Sequence, residues 1–145
     1  GDKPWLKHYD PGVPHTLEYP EIPLHGMLQQ SARQHPDATA CLTSAKLPLF
    51  GRRHSAITYQ ELDAYTDALA AALVDLGLQK GDRVAIVMPN CTQFVIAFYA
   101  TLKAGGVIAA TNPTYPASRM QHQFADAGAK VVITFSRKRK SSGLL

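Results

Sequence analysis

The chain has 145 residues, which is the size of one ordinary domain and is enough to bury a substantial core. Its hydrophobic content of 46% and charged content of 18% exclude a low-complexity or highly charged chain. Four of the 15 basic residues lie together at 137–140, and the other 11 balance the 11 acids. The body of the chain is therefore neutral, which argues against a nucleic-acid-binding surface.

The first 23 residues are rich in proline, aromatic and polar residues. Because proline interrupts helices and central strands, we expect residues 1–23 to form an extended arm over the surface. Its large apolar side chains are predicted to anchor the arm in apolar grooves: Trp5, Tyr9, Leu17, Tyr19 and Ile22.

Residues 24–57 predict a short helix followed by a hairpin. The helix covers residues 24–35 and ends at a Pro-Asp pair. Its apolar residues fall on one face: Leu24, Met27, Leu28 and Ala32. We predict a strand over residues 38–43, a hairpin connection over residues 44–55 and a second short strand at residues 56–57.

The clearest predicted helix begins at Thr58. Thr58 and Glu61 have the spacing of a capping box, in which each side chain accepts a hydrogen bond from the backbone N–H of the other residue. Apolar residues then recur at steps of three and four: Leu62, Tyr65, Leu69, Ala72, Leu73 and Leu76. Gly77 is predicted to end the helix in a left-handed conformation, with Leu78 making the apolar contact that accompanies such an end.

After a turn at residues 80–82, strands and helices alternate. We predict strands over residues 83–88, 107–110 and 130–135 and helices over residues 92–104 and 116–127. The first two strands are continuously apolar, which predicts burial on both faces and parallel pairing through a right-handed crossover. The predicted fold class is α/β: a partial doubly wound parallel sheet (βαβαβ from residue 83), preceded by the arm, helices and a short hairpin.

Two motifs near the predicted sheet admit a functional and a structural interpretation. Gly105 and Gly106 follow a helix rather than a strand and lack the spacing of a phosphate-binding loop, so we interpret them as helix termination with close packing. Residues 112–116 lie beyond the carboxyl end of a parallel strand, where α/β sites gather. A proline-fixed crossover turn is the favoured interpretation, and substrate contact is the alternative.

In the last helix, Met120 and Phe124 are predicted to point inward, and Gly128 is predicted to end the helix.

Titratable and metal-ligating residues show no functional spacing. The six histidines are assigned to surface or capping positions rather than to a metal site: His8, His15, His25, His35, His54 and His122. Glu61, Asp63 and Asp67 are interpreted as a helix cap and a solvated helix face. Cys41 and Cys91 are interpreted as reduced, buried thiols.

Three further features have simple interpretations. Residues 90–92 match the glycosylation sequon, but helix capping by Asn90 or Thr92 is favoured. The apolar stretch at 94–110 is interrupted by Lys103 and is shorter than a membrane span. Residues 136–145 are predicted to be a disordered basic tail, and we interpret 137–140 as a remnant or an out-of-frame end rather than as a nucleic-acid or membrane-surface patch.

Two blocks of the sequence resemble the adenylate-forming superfamily, which includes acyl-CoA synthetases, luciferases and the adenylation domains of peptide synthetases. Residues 57–62 (ITYQEL) are similar to its first core motif and are followed by its strand entry at 80–85 (KGDRVA). Residues 102–107 (LKAGGV), continuing to 112–116 (NPTYP), are similar to its second core motif. Residues 88–91 (MPNC), which lie between these two blocks, also resemble the superfamily pattern.

The N-terminal segment is similar to one branch of that superfamily. Residues 4–9 (PWLKHY), 19–20 (YP) and 35–37 (HPD) resemble bacterial long-chain-fatty-acid–CoA ligases. The resemblance covers residues 4–135. It implies a two-step reaction in the whole enzyme: a fatty acid attacks the α-phosphate of Mg·ATP to give an acyl-adenylate and pyrophosphate, and the thiol of coenzyme A then displaces AMP.

The catalytic parts that the resemblance implies are absent from these 145 residues. Missing are the glycine-rich phosphate loop, the Tyr-Gly-x-Thr-Glu segment, the ribose-binding Asp and the catalytic Lys. We therefore expect residues 24–135 to be the N-terminal subregion of a truncated adenylate-forming domain that is inactive alone. We predict no catalytic, cofactor-binding or metal-binding residue within the chain; ATP, Mg²⁺ and coenzyme A are implied for the full-length enzyme only.

Two other functions stay open from the sequence. The chain could be a stand-alone binding or regulatory module of this fold, or part of another acyl- or aryl-acid adenylating enzyme. We expect fatty acid, ATP and coenzyme A as partners of the full-length enzyme and no nucleic acid. We also expect a cytoplasmic location, with peripheral contact at the inner face of the membrane left open. Because a truncated sheet leaves edges and apolar faces open, self-association is predicted, with the arm at 1–23 as a candidate dimer surface.

Overall fold

The computed structural model describes residues 3–47 and 51–135, with the backbone alone at 45–47 and 51. The hairpin connection at 48–50 and the predicted basic tail at 136–145 lie outside the described residues. The elements in chain order are a 3-10 helix (Pro4–His8), α1 (Leu24–Gln34), β1 (Thr39–Leu47), β2 (Gly51–Thr58), α2 (Tyr59–Asp75), β3 (Arg83–Val87), α3 (Thr92–Lys103), β4 (Val107–Thr111), α4 (Ala117–Ala127) and β5 (Ala129–Thr134).

The strands form two sheets. β1 and β2 pair antiparallel as a hairpin, and the other three strands form a parallel sheet in the order β4-β3-β5. The predicted α/β class and parallel sheet are confirmed. The hairpin arms are longer than predicted, because cross-strand backbone pairing extends them through residues 44–47 and 51–55, where side chains give little strand signal.

The parallel sheet is wound in two directions from its central strand. The chain passes from β3 through α3 to β4, and then returns past β3 through α4 to β5. Two right-handed crossovers in opposite directions place their helices on opposite faces of a sheet. This strand order is the start of a doubly wound fold. Because the strands are parallel, the loops that follow them all lie at the carboxyl end of the sheet.

The main hydrophobic core lies between β3 and the helices. Val84, Ala85 and Ile86 are fully buried, as predicted for a strand covered on both faces. The prediction of two-sided burial is wrong for β4, where Val107 is exposed and Thr111 alone is buried. β4 is an edge strand in the described sheet, so its apolar sequence does not imply full cover.

Helix α2 confirms the predicted cap and corrects the predicted face. The Thr58 N–H donates to Glu61 Oε2 over 2.8 Å, and the Glu61 N–H donates to Thr58 Oγ1 over 3.2 Å. The predicted stripe is wrong in part, because Tyr65, Ala72 and Leu76 are exposed. The buried positions follow another line along the helix: Leu62, Thr66, Ala70 and Leu73.

Glycines end α2 and α3 as predicted. Gly77 has a φ of 89°, and the N–H of the buried Leu78 donates to the Leu73 carbonyl over 3.0 Å. At the end of α3, the Gly106 N–H donates to the Thr101 carbonyl over 2.8 Å. A Cβ at Gly106 would lie 3.0 Å from Thr101 Cγ2. Helix termination and close packing therefore account for the glycine pair.

The N-terminal arm differs from its prediction. Trp5 is 55% exposed and Tyr19 is 78% exposed, and the other predicted anchors, Tyr9, Leu17 and Ile22, are exposed as well. The anchoring of these side chains in apolar grooves is therefore wrong. The segment Pro4–His8 forms a 3-10 helix rather than extended chain, because proline is tolerated in a first helical turn, where its missing N–H has no helical partner to lose.

The outer helices show the same trend toward exposure. In α1, Leu28 and Ala32 are buried, but the predicted inward residues Leu24 and Met27 are exposed. In α4, Met120 and Phe124 are half-buried, and Gly128 ends the helix with a φ of 59°, as predicted. Among the helices in residues 3–47 and 51–135, none combines the length and apolar character needed to cross a bilayer.

Candidate functional site

A cavity of about 430 Å³ opens at the carboxyl end of the parallel sheet, between the loops that follow β3 and β4. Ligands of open parallel sheets bind at this end, so we take the cavity as the candidate site. Its lining residues come from the ends of the two strands, their loops and the first turn of α3: Met88, Pro89, Asn90, Phe94, Ala110, Thr111, Asn112, Pro113 and Thr114.

The β3 side of the cavity is a short connection into α3. The N-cap of α3 is Cys91, which makes no capping hydrogen bond through its side chain. Capping by Asn90 or Thr92 is therefore wrong. The Thr92 hydroxyl instead shares a 2.8 Å hydrogen bond with the hydroxyl of Thr43 in β1, which ties the start of α3 to the hairpin.

The β4 side of the cavity is a rigid turn. Asn112 Oδ1 accepts hydrogen bonds from the Thr114 N–H over 2.9 Å and from Thr114 Oγ1 over 2.8 Å. This side-chain-to-backbone arrangement, next to Pro113, is the predicted crossover turn. The same turn also forms one wall of the cavity. A structural role for the turn is therefore compatible with contact between the turn and a substrate.

Thr111 is the unusual residue of the cavity wall. It is 5% exposed, and its hydroxyl has no hydrogen-bond partner within the described residues. A buried hydroxyl without a partner costs about 1–3 kcal/mol. The sequence analysis did not identify Thr111, because the predicted strand ended at residue 110. The sequence nevertheless shows a polar side chain at the carboxyl end of an apolar strand, which could have indicated a site residue.

The donor set of the cavity is neutral. The lining offers amide and hydroxyl groups and apolar surface, and it contains no carboxylate and no cationic side chain. Across residues 3–47 and 51–135, no three His, Cys, Asp or Glu side chains are grouped so as to hold a metal ion. Magnesium needs oxygen ligands that include carboxylates, and phosphates need cations or clustered N–H groups. The described residues therefore do not fit Mg·ATP, although they suit a neutral ligand or a covering segment.

Lys103 makes a charged junction between α2 and α3. Its side chain is 6% exposed, and its Nζ lies 2.5 Å from Asp63 Oδ1 and 2.6 Å from Asp67 Oδ1. It also donates to the Asp63 carbonyl over 3.2 Å. The interpretation as a solvated face is wrong for Asp63, which is half-buried, whereas Asp67 is exposed as predicted. Both carboxylates nevertheless compensate a buried cation.

A second ion pair lies at the amino end of the sheet, away from the cavity. Lys130 Nζ donates to Asp82 Oδ2 over 2.7 Å and to the Gly77 carbonyl over 3.0 Å. The Gln79 N–H also donates to Asp82 Oδ2 over 2.7 Å. The hydrogen bond from Lys130, helped by that from Gln79, holds the pKa of Asp82 below its ordinary value.

The cysteines and histidines complete the inventory of titratable groups. Cys41 and Cys91 are free and half-buried rather than fully buried as predicted, because both line a groove of about 400 Å³ between β1 and the start of α3. Burial raises the pKa of the Cys41 thiol. His25 is half-buried and the other five histidines are exposed, which confirms their surface positions.

A smaller, largely apolar groove of about 230 Å³ lies where the described chain ends. It runs between α2, α3 and the carboxyl end of β5, and its lining is Leu69, Met88, Gln93, Ile96, Ala97, Ile133, Thr134 and Phe135. Such a surface has little capacity for chemistry, and it suits cover by another apolar segment.

Residues 28–144 match the AMP-binding enzyme family, a range that includes both core motifs and both loops of the cavity. The chain belongs to the AMP-binding enzyme family. The superfamily resemblance predicted from residues 57–62 and 102–116 is thereby confirmed.

Curated relatives of this AMP-binding family member are much longer than the chain. It is 42% identical over 134 residues to a long-chain-fatty-acid–CoA ligase of Bacillus subtilis strain 168, a match that covers 91% of this chain and 22% of the relative. A Yersinia pestis long-chain-fatty-acid–CoA ligase is 35% identical over 136 residues, covering 93% and 23%. The chain therefore spans about a fifth of the length of these relatives.

Solved structures of similar proteins share the fold. The Mycobacterium tuberculosis fatty acyl CoA synthetase matches with a TM-score of 0.64 and 33% identity, over 76% of this chain and 20% of that chain. The N-terminal subdomain of Klebsiella oxytoca NpsA matches with a TM-score of 0.65 and 29% identity, over 77% of this chain and 27% of that chain.

Proposed function

We propose that this chain is the N-terminal portion of a long-chain-fatty-acid–CoA ligase, an ATP-dependent, AMP-forming acid–thiol ligase. The observation that carries the proposal is the 42% identity to the Bacillus subtilis ligase across 91% of this chain. In the whole enzyme, a fatty acid, ATP with Mg²⁺, and coenzyme A are the reactants and cofactors. Within residues 1–145 we place no catalytic, cofactor-binding or metal-binding residue.

The role of the chain in such an enzyme is to position loops. The capped helix α2 and the glycine-terminated helix α3 fix β3 and β4, and the turns after these strands form the neutral wall described above. Chemistry at phosphate oxygens requires charged groups, which this wall lacks. The chain therefore supplies a rigid surface against which a separate, charged part of the enzyme acts.

Open surfaces support the presence of further polypeptide around this region. Val107 on β4 and Val132 on β5 are exposed, and so is Phe135 beside the small apolar groove. β4 and β5 are the two edges of the described sheet. Additional strands would pair with these edges, and an adjoining segment would cover the groove. A segment that closes the 430 Å³ cavity would offer a partner to the Thr111 hydroxyl.

A chimera tests the proposal. Residues 3–135 replace the matching segment of the Bacillus subtilis ligase, and fatty-acid-dependent AMP formation is measured. We expect the chimera to be active. A control chimera carrying Ile86→Asp, which buries a charge in the core, should be inactive. A soluble, folded chimera without activity would contradict the proposal.

A second candidate is an enzyme that adenylates a different acid. The chain is 35% identical over 111 residues to phosphinothricin tripeptide synthetase PhsC of Streptomyces viridochromogenes, which covers 77% of this chain and 9% of that protein. If the complete protein of this chain formed AMP with amino or aryl acids but not with long-chain fatty acids, this second function would replace the first.

The location and association of the chain are also proposals. We infer a cytoplasmic protein whose residues 24–135 form one subregion of a larger domain, preceded by the arm at 1–23. The exposed arm side chains and the sheet edges favour self-association of the isolated chain. Sedimentation velocity should show dimers or larger species, and a monomer throughout the accessible concentration range would contradict this.

A further inference from the structure

One face of α4 carries a polar groove that is separate from the candidate cavity. The groove has a volume of about 260 Å³, and it is lined by Tyr115, Arg119, His122, Gln123 and Asp126. No residue of α4 is buried, and Arg119, His122 and Asp126 are exposed. This face of the helix is therefore open in the part of the chain that the structure describes.

Arg119 is held in place but has no anionic partner on its own chain. Its guanidinium carbon lies 4.1 Å from the centroid of the Tyr115 ring, a distance at which a cation stacks on an aromatic face. The ion pairs formed within residues 3–47 and 51–135 do not include Arg119. A stacked guanidinium keeps its edge donors free to bind a carboxylate in bidentate geometry. Arg119 is therefore oriented for a carboxylate that the described residues do not supply.

The charges of α4 lie at the ends of the helix where its dipole disfavours them. Arg119 lies in the first turn and Asp126 in the last turn, and the only other titratable residue of the helix is His122. A helix dipole favours anions at the amino end and cations at the carboxyl end. Asp126 Oδ2 lies 3.4 Å from His122 Nε2, and this single exposed contact leaves most of the acceptor capacity of the carboxylate unused. A carboxylate beside Arg119 and a cation beside Asp126 would compensate both charges.

We propose that α4 binds α4 of a second copy of this chain in antiparallel orientation. Arg119 and Asp126 are seven residues apart, which is about 10.5 Å along a helix. A two-fold axis near residues 122 and 123, midway between them, places Arg119 of each copy opposite Asp126 of the other copy. The face is thus complementary to itself, and a single contact supplies both missing partners. A different protein would need the same two charges at the same spacing.

The proposed interface is small and polar. A contact between two helices of 11 residues is smaller than the interfaces of about 1,200–2,000 Å² that hold stable complexes. The dimer is therefore transient and forms at high protein concentration. Because α4 is neither part of the arm at 1–23 nor a sheet edge, this inference is distinct from the self-association proposed above, and it does not depend on ligase function.

Charge exchange in the full 145-residue chain tests the proposal by sedimentation velocity over a range of concentrations. The test variants are Arg119→Asp and Asp126→Arg, and each converts both ion pairs of the homodimer into like-charge contacts. Each exposed ion pair contributes up to about fivefold to an equilibrium constant, so homodimer formation by either variant should weaken by roughly 20-fold or more. Both substitutions follow the helix dipole, so the variants should stay folded.

An equimolar mixture of the two variants is the decisive sample. It restores opposite charges at both contacts, so the mixture should associate about as strongly as the unaltered chain. The matched controls are Arg33→Asp and Glu18→Arg, which change the net charge equally at exposed positions outside α4. Singly and mixed, they should associate like the unaltered chain.

Three results would overturn the proposal. The first is an unaltered chain that stays monomeric at every concentration. The second is association of the α4 variants as strong as that of the controls, which would assign self-association to another surface. The third is a mixture of the α4 variants that associates no better than either variant alone. Because the readout is association rather than AMP formation, none of these results bears on the proposed ligase function.

Discussion

At the scale of single residues, the buried hydroxyl of Thr111 is the most informative feature of the cavity. Thr66 and Thr101 are also buried, but their hydroxyls donate to the carbonyls of Asp63 and Ala97, each over 2.8 Å. Thr111 lacks such a partner among the described residues. The Thr111 hydroxyl is therefore free to bond to a group outside the described residues.

Replacing Thr111 by valine tests this reading. The valine methyl takes the place of the hydroxyl without leaving a buried polar atom unbonded, so Thr111→Val should raise the free energy of unfolding of the isolated chain by about 1 kcal/mol. The measurement is a urea titration. Thr101→Val, which removes a bonded hydroxyl, is the control and should give no gain. A loss of stability in Thr111→Val would mean that the hydroxyl already has a partner.

At the scale of elements, two ion pairs join segments that are distant in sequence. Lys103 links α3 to α2, and Lys130 links the start of β5 to the turn before β3. They lie at the α2–α3 junction and at the amino end of the sheet, whereas the candidate cavity lies at the carboxyl end. Both pairs therefore belong to the stability of the fold rather than to the site.

Removal of the buried cation should weaken the junction of α2 and α3. Lys103→Met keeps much of the side-chain volume but leaves Asp63 and Asp67 without their partner, so we expect a loss of about 2 kcal/mol in the free energy of unfolding. Lys7→Met, at an exposed position, is the matched control and should change little. Equal stability of the two variants would show that the junction contributes nothing.

The Asp82–Lys130 pair should make stability depend on pH. Because the pKa of Asp82 in the folded chain lies below its unfolded value, its charged form stabilises the fold above that unfolded value, and the contribution is lost as the pH falls below about 4. Asp82→Asn should therefore be less stable than the unaltered chain at neutral pH, with the difference shrinking toward pH 3. Glu18→Gln, on the exposed arm, is the control. A constant difference across the pH range would contradict this.

At the scale of the whole molecule, local patterns predicted the architecture well. Capping of α2 at Thr58, termination at Gly77 and Gly105, and the alternation of apolar strands with helices each depend on neighbours in sequence, and each is confirmed. Features set by tertiary packing could not be read in this way. The pairing of Lys103 with carboxylates about 40 residues away and the edge position of β4 depend on how elements assemble.

The candidate site was predictable in position only. Residues 112–116 stood out because they follow a parallel strand. The cavity wall also needs Met88 from the β3–α3 connection and Phe94 from the first turn of α3, which the sheet brings alongside. The unpartnered Thr111 hydroxyl and the exposed arm were missed, because both depend on contacts rather than on residue pattern.

The central claim is that residues 1–145 supply a scaffold, while the charged groups that handle ATP belong to another part of the proposed ligase. The most direct test is AMP formation by the purified chain supplied with ATP, Mg²⁺, a long-chain fatty acid and coenzyme A, with the active chimera assayed in parallel. We predict no AMP above background from the chain alone. Fatty-acid-dependent AMP formation by these 145 residues would contradict the account.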